Sequence, residues 1–253
     1  MGQAAQQGIE VKFMKKLSLL GGLPKQIFLN AGHYDNDPGV IFKGIVERDE
    51  AKKVRDLVSK YLKEAGFNVI EVPDNLNLRQ SIDFVNLYDT NELSGLALDL
   101  HFNNAGSLTT NVRGVEIYSN DSLEARARAK VMSEVMANYM GIPNRGWKSQ
   151  TVSVWGSLGW VSQVHCPADV VEILYLSHPE DRKLIEEKQH DKIAKGIVAG
   201  VMKLYGIEPK PSSVEANPIQ SVDLILSLQT RILELTAIVV GLLKKISILK
   251  GLN

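Results

Sequence analysis

The sequence predicts an α/β layer fold, a central sheet flanked by helices, followed by a separate C-terminal α-helix. Three observations carry this expectation. Short apolar runs bounded by turn residues alternate with stretches whose apolar residues recur every three to four positions, the pattern of strands feeding helices around a sheet. A polar, Pro-containing stretch then breaks that pattern at 207–218. Beyond it the apolar spacing changes to a strict seven.

Residues 1–24 read as a peripheral lead. "QIFLNAG" (26–32) reads as a buried strand ending in a turn. From Glu47, apolar residues at Ala51, Val54, Leu57, Val58, Tyr61, Leu62 and Ala65 mark one helical face, closed by Gly66 as a C-cap. "NVIEVP" (68–73) is a short strand stopped by Pro73, and "LNLRQSIDFVNLYDTN" is the next helix. "GLALDLHFN" (95–103) and "GVEIYS" (114–119) are strand-like. Residues 121–140 form an Ala-rich helix that ends at Gly141-Ile142-Pro143. "ADVVEILYL" (168–176) is a buried strand, and Pro179 is expected to open one long helix to about Tyr205.

The segment 207–218 is a linker, small and polar with little to bury. In 219–253, Ile225, Ile232, Val239 and Ile246 recur every seven residues, and Leu228, Leu235, Leu242 and Leu249 follow three places later. That is a heptad pattern with β-branched a positions and Leu at d. It predicts a homo-oligomerising coiled-coil helix. Membrane contact is the weaker reading, because the heptads hold register throughout. The apolar face is wider than a strict seam, which also fits packing of more than two helices.

Composition narrows the function. Lys plus Arg and Asp plus Glu both total 29, so no basic excess supports nucleic-acid binding. The single cysteine, Cys166, excludes an intrachain disulfide and a cysteine-built metal site. Any metal must use the histidines (33, 101, 165, 178 and 190) and carboxylates. Lys15 and Lys16 are followed by "LSLLGGLP", too short for a secretory signal. The expectation is synthesis in the cytoplasm.

Chemistry gathers at three places. His33 lies past one strand end, His101 near another, and Glu47 opens a helix. Functional groups collect at the carboxyl ends of strands in open α/β sheets. Two imidazoles and a carboxylate are a three-ligand zinc set. The spacing alone leaves other readings open: a turn histidine, a strand histidine satisfied by backbone, and a helix N-terminal carboxylate favoured by the macrodipole. Glu172 in an apolar run is harder to explain without a nearby cation, since an unpaired buried carboxylate is costly. His165 and Cys166 suggest a nucleophile pair only superficially, because neighbours on a strand point to opposite faces. His178 and His190 read as surface residues, and Glu116 as a structural strand residue or substrate contact. Trp147, Trp155 and Trp160 read as core packing, with a groove wall against sugar or peptide as the alternative.

"IFLNAGHYDNDPGVIFKGIVERDEA" resembles the first motif of the zinc N-acetylmuramoyl-L-alanine amidases, a hydrophobic strand, then D-P-G-H-G-G-x-D-P-G-A, then G-x-x-E. His33, Asp37, Pro38, Gly39, Gly44 and Glu47 match. The second motif, R-x-x-x-x-x-x-N followed by S-x-H-x-N-A, is met by Arg79, Asn86, His101, Asn103 or Asn104, and Ala105. "RGVEIYSN", "NRGWK" and "PADVVEILYLSHPED" resemble three later stretches in the family's order. The resemblance covers about residues 25–206. It implies a single central mixed sheet and one zinc ion per chain on His33, Glu47 and His101. It also implies Glu172 as the catalytic carboxylate and peptidoglycan as substrate, cut between N-acetylmuramic acid and L-alanine. Host lysis by an endolysin acting at the wall after release is the expected role. A bacterial autolysin or cell-separation amidase is the alternative, and a catalytically idle wall-binding module is the reading from another class. Asn30-Ala31 stands where the motif has Asp-Pro, Tyr34 replaces the first Gly after the His, and Ile173-Leu174-Tyr175 replaces the Gly-Phe region.

Overall fold

The structure is a computed structural model that describes residues 26–89, 95–106, 111–153 and 156–207. The strands are β1 (Gln26–Ala31), β2 (Ile41–Phe42), β3 (Ile45–Val46), β4 (Asn68–Glu71), β5 (Gly95–Asn103), β6 (Val115–Ser119), β7 (Asn144–Ser149) and β8 (Ala168–Tyr175). The helices are α1 (Glu47–Glu64), α2 (Leu78–Tyr88), α3 (Leu123–Met140), α4 (Gly159–Gln163), α5 (Pro179–Glu186) and α6 (His190–Leu204). Six strands form one sheet in the order β4-β1-β5-β8-β6-β7. β4, β1, β5 and β8 run parallel, β6 pairs antiparallel with β8, and β7 parallels β6. The sheet is therefore mixed, as expected.

Alternation along the strands assigns two unequal faces. Ile27 and Leu29, Leu96, Leu98 and Leu100, Val171 and Ile173, and Val115 and Ile117 all belong to one apolar core. It includes Val54, Val58 and Leu62 of α1, Met132 and Met136 of α3, and Ile193, Ile197 and Val201 of α6. Each such side chain, fully buried, contributes about 1.5–3 kcal/mol relative to exposure. On the other face, Phe28, Ala97, Ala168 and Val170 pack against Ile82 and Val85 of α2 and Trp160 and Val161 of α4. Two residues further along each strand, this face turns polar: Asn30, Asp99 then His101, and Glu172.

Local signals explain the boundaries. Asn77 caps α2 with a full capping box to Gln80. Gly141 ends α3 in the left-handed conformation at φ 74°. The long helix expected from Pro179 to Tyr205 is instead two helices, with Lys188 at φ 55° between them. No apolar residue lies between Ile185 and Ile193, so nothing there gives a continuous helix a face to bury. β7 is a strand that the pattern did not reveal, because "NRGWKS" lacks apolar alternation and lies at the sheet edge. The heptad segment, the linker beyond Ile207, the lead 1–24 and Trp155 lie outside the described residues. Among the described residues, no helix is long and apolar enough to cross a membrane.

Candidate metal and catalytic centre

The centre forms where β1 and β5 end and α1 begins. His33 follows β1 with φ 72°, a left-handed backbone uncommon for a residue with a Cβ. Its neighbours leave no room for side chains. A Cβ on Gly32 would meet the His101 ring at 2.5 Å, and one on Gly39 would meet the His33 ring at 2.4 Å. The loop 34–46 returns through the short β2–β3 hairpin, so that Glu47 starts α1 directly against both imidazoles.

Glu47 is the hub and is only 2% exposed. Its Oε2 lies 3.0 Å from His33 Nε2 and accepts from Val40 N–H at 2.9 Å. Its Oε1 lies 3.0 Å from His101 Nδ1 and accepts from Phe102 N–H at 3.0 Å. The two rings meet edge to face with centroids 4.9 Å apart. His33, Glu47 and His101 each offer a ligand atom, and these atoms lie within 4.8 Å of one another.

The outer nitrogens are also occupied. His33 Nδ1 is 2.8 Å from Asp37 Oδ2, while Asp37 Oδ1 accepts from Gly39 N–H. His101 Nε2 is 3.2 Å from Asp99 Oδ2. Burial opposes charge on Glu47, but hydrogen bonds to His101 and His33 overcome it and hold the carboxyl well below its ordinary range. Burial likewise opposes protonation of both imidazoles. Glu47, then Asp37, raise His33 above the ordinary histidine value, and Asp99, then Glu47, raise His101.

Glu172 pairs in strand register with His101 on one side and Glu116 on the other. Burial, together with the charges of Glu47, Glu116 and Asp99, pushes its carboxyl up to about 8 against the opposing influence of His101. Its Oε2 is buried and has no hydrogen-bond partner among the described residues. Glu116 is saturated by contrast. Its Oε1 accepts from Asn103 Nδ2 at 3.0 Å and Tyr175 OH at 2.9 Å, and its Oε2 accepts from Arg145 Nε at 2.7 Å. Two register shifts shape this corner. One lies on β8 beyond Glu172, in the stretch Ile173-Leu174-Tyr175 that replaces the motif's Gly-Phe region, where all three are buried. The other makes Arg145 the extra residue of β7, opposite Val115 and Glu116.

The remaining sequence candidates separate from this centre. His165 is exposed while Cys166 is buried, with its thiol pushed up to about 12 by burial, so no nucleophile pair exists. His178 caps α5 by accepting from Glu180 N–H. His190 was expected at the surface but is half-buried, because its Nε2 pairs with Glu50 across α1 and α6. Trp160 is core, and Trp147 packs against the larger core under the Arg126 guanidinium. Arg79 is an exposed partner of Asp83, and Asn86 ties α2 to the turn before β8 through Gln163 O and His165 N–H. Sequence reasoning missed Asp99 and Arg145. Asp99 was findable, since it shares a strand face with His101 two residues on. Arg145 lies in the motif stretch "NRGWK", but its pairing with Glu116 was not findable, because a bulge aims it.

Fold and site together define an α/β enzyme scaffold whose strand ends hold two imidazoles, one shared carboxylate and a neighbouring buried acid. Within that class, the chain belongs to the N-acetylmuramoyl-L-alanine amidase family, whose Amidase_3 profile matches residues 27–203. An uncharacterised protein of Clostridium perfringens is 29% identical over 70% of this chain and 51% of its own length. A Staphylococcus epidermidis protein named "Probable cell wall amidase LytH" is 24% identical over 72% of this chain and 58% of its own. The chain thus spans little more than half the length of these curated relatives. The crystal structure of N-acetylmuramoyl-L-alanine amidase from Clostridium difficile 630 superposes with a TM-score of 0.62 at 19% identity, covering 73% of this chain and 98% of that one.

Proposed function

We propose that this protein hydrolyses the amide between N-acetylmuramic acid and L-alanine in peptidoglycan, with one zinc ion held by His33, Glu47 and His101. The observation that carries the reading is the convergence of those three donors within 4.8 Å. The donor set suits zinc, being two neutral-capable imidazoles and a carboxylate. The unpartnered buried Oε2 of Glu172 beside His101 fits as well, since such an atom calls for an ion, a water or a catalytic role. When bound, zinc supplies Lewis-acid polarisation and lowers the pKa of a coordinated water towards neutrality.

The chain's own residues do the rest. Glu172 takes a proton from the attacking water at its carboxylate and returns it to the leaving amine of L-alanine. Burial raises its proton affinity in the metal-free site, and a cation held by the three donors would lower it, so that the carboxylate can accept the water's proton. Asp37 and Asp99 hold the imidazoles from behind. The test is dye release from purified cell walls with and without chelator, read alongside mass spectrometry of the fragments. Chelation should abolish release, zinc should restore it, and the new end should be a free L-alanine amine. A cut at another bond would sink the assignment.

The substrate lies outside the membrane, so the enzyme acts at the bacterial wall after leaving the cytoplasm, in the endolysin role. Expression in a bacterial host tests that role: lysis that requires a membrane-permeabilising partner fits it, and cell separation without one fits the autolysin instead. Residues 219–253 we assign to self-association on their heptads. Light scattering should give a larger mass for the full chain than expected for a monomer, and a monomer mass for a chain stopped at Gly206.

A further inference from the structure

The two imidazoles are alike in one respect and differ in another. Each carries a carboxylate on the ring nitrogen turned away from Glu47, Asp37 on His33 and Asp99 on His101. Asp37 belongs to the family motif. Asp99 does not, since the motif S-x-H has Ser at its place. Asp99 is 4% exposed, and its second oxygen, Oδ1, accepts from Asn30 Nδ2 at 2.8 Å. Asn30 stands in turn where the motif has Asp. The two residues are paired in register across β1 and β5, so the backbone fixes their approach. An aspartate at both positions would set two carboxylates at hydrogen-bond distance, with one charge disfavouring the other. The amide supplies a donor instead. The pair therefore holds a single carboxylate, on β5, in contact with the His101 ring.

We infer that Asp99 is a positioning residue for His101 and that Asn30 holds Asp99 in place. The inference rests on the zinc reading above. A neutral imidazole carries one N–H, and its partner decides which nitrogen has it. A carboxylate at Nε2 keeps the proton there and leaves the Nδ1 lone pair facing Glu47, where the metal is to be held. It also fixes the ring's orientation and strengthens it as a donor.

The experiment measures zinc affinity by competition with a chromogenic chelator and thermal melting of the metal-free full chain, for three proteins. Asp99→Asn should bind zinc about 10–100-fold more weakly than the wild type, the range for lost outer partners of metal-bound histidines. The exchange Asn30→Asp with Asp99→Asn keeps one carboxylate and one amide in the pair but turns the amide towards His101. It should melt close to the wild type and bind zinc as weakly as Asp99→Asn. Unchanged affinity in Asp99→Asn overturns the inference, and so does an exchange variant that binds like the wild type, which would make the buried pair and not its contact with His101 decisive. A wild-type protein that binds no zinc overturns the metal reading along with it, which separates the two failures.

Discussion

The two faces of the sheet are made by the same strands and have opposite fates. One face is mainly apolar, interrupted by the buried Arg128–Asp169 pair between α3 and β8, and is covered by α1, α3 and α6. The other is apolar only in its first half, under α2 and α4, and then changes to Asn30, Asp99, His101 and Glu172. The difference shows how one scaffold separates stability from chemistry. A single strand such as β5 alternates Leu96, Leu98 and Leu100 into the core with Ala97, Asp99 and His101 into the second layer. His101 there is held between two buried carboxylates, Glu47 and Asp99.

The sharpest way to break this division is at Glu172. Replacement by Gln should lower wall hydrolysis by roughly 10²–10⁴-fold, the usual contribution of a proton-transfer group, with zinc content unchanged. The same variant should melt higher than the wild type in the metal-free state at neutral pH. The folded carboxyl is raised to about 8, so between the unfolded value and that figure the native state holds a proton that the unfolded chain has released. Full activity in Glu172→Gln would refute the assigned mechanism. On the sealed face the expectation reverses. Met136→Ala leaves a cavity in the main core and should cost about 2–5 kcal/mol of stability, measured by denaturant unfolding, while zinc affinity stays as it is. Loss of zinc binding there would show that the faces are coupled.

The third expectation concerns pH. His33 and His101 are raised in the folded state, so their pairing with Glu47 stabilises fully below the ordinary histidine pKa and is lost as pH climbs through the folded values. Glu47 is depressed, and its contribution is present above the ordinary carboxylate pKa and fades only as pH falls through its folded value. The metal-free protein should therefore melt lower as pH rises from near 6. Zinc binding strengthens over the same interval because both ligands must shed protons. The gap in Tm between zinc-loaded and metal-free protein should widen with pH, and a constant gap would count against the imidazoles as ligands.

Much of this was legible in the residues. Apolar period and turn chemistry located five of the six sheet strands and most of the helices that cover them, but not the short α4 under the second face. Motif order brought His33, Glu47, His101 and Glu172 forward before any geometry. What escaped had physical causes. β7 is a polar edge strand, the break at Lys188 is marked only by a missing apolar face, and Arg145 reaches Glu116 through a bulge that no pattern announces. The move of the carboxylate from β1 to β5 was half visible: Asn30 stands where the motif has Asp, while the compensating Asp99 needed the strand register to be seen.

The pairing of Glu50 with His190 sets a limit on how short this domain can be. Glu50 lies one turn along α1 from Glu47, and its partner opens α6, well downstream of Glu172 in sequence. All four site residues are present in a chain that ends at Tyr175, yet such a fragment lacks the clasp on the helix that delivers Glu47 and a third of the covering layer. The smallest autonomous unit is thus set by the end of α6 near Leu204, not by the last residue with a chemical role.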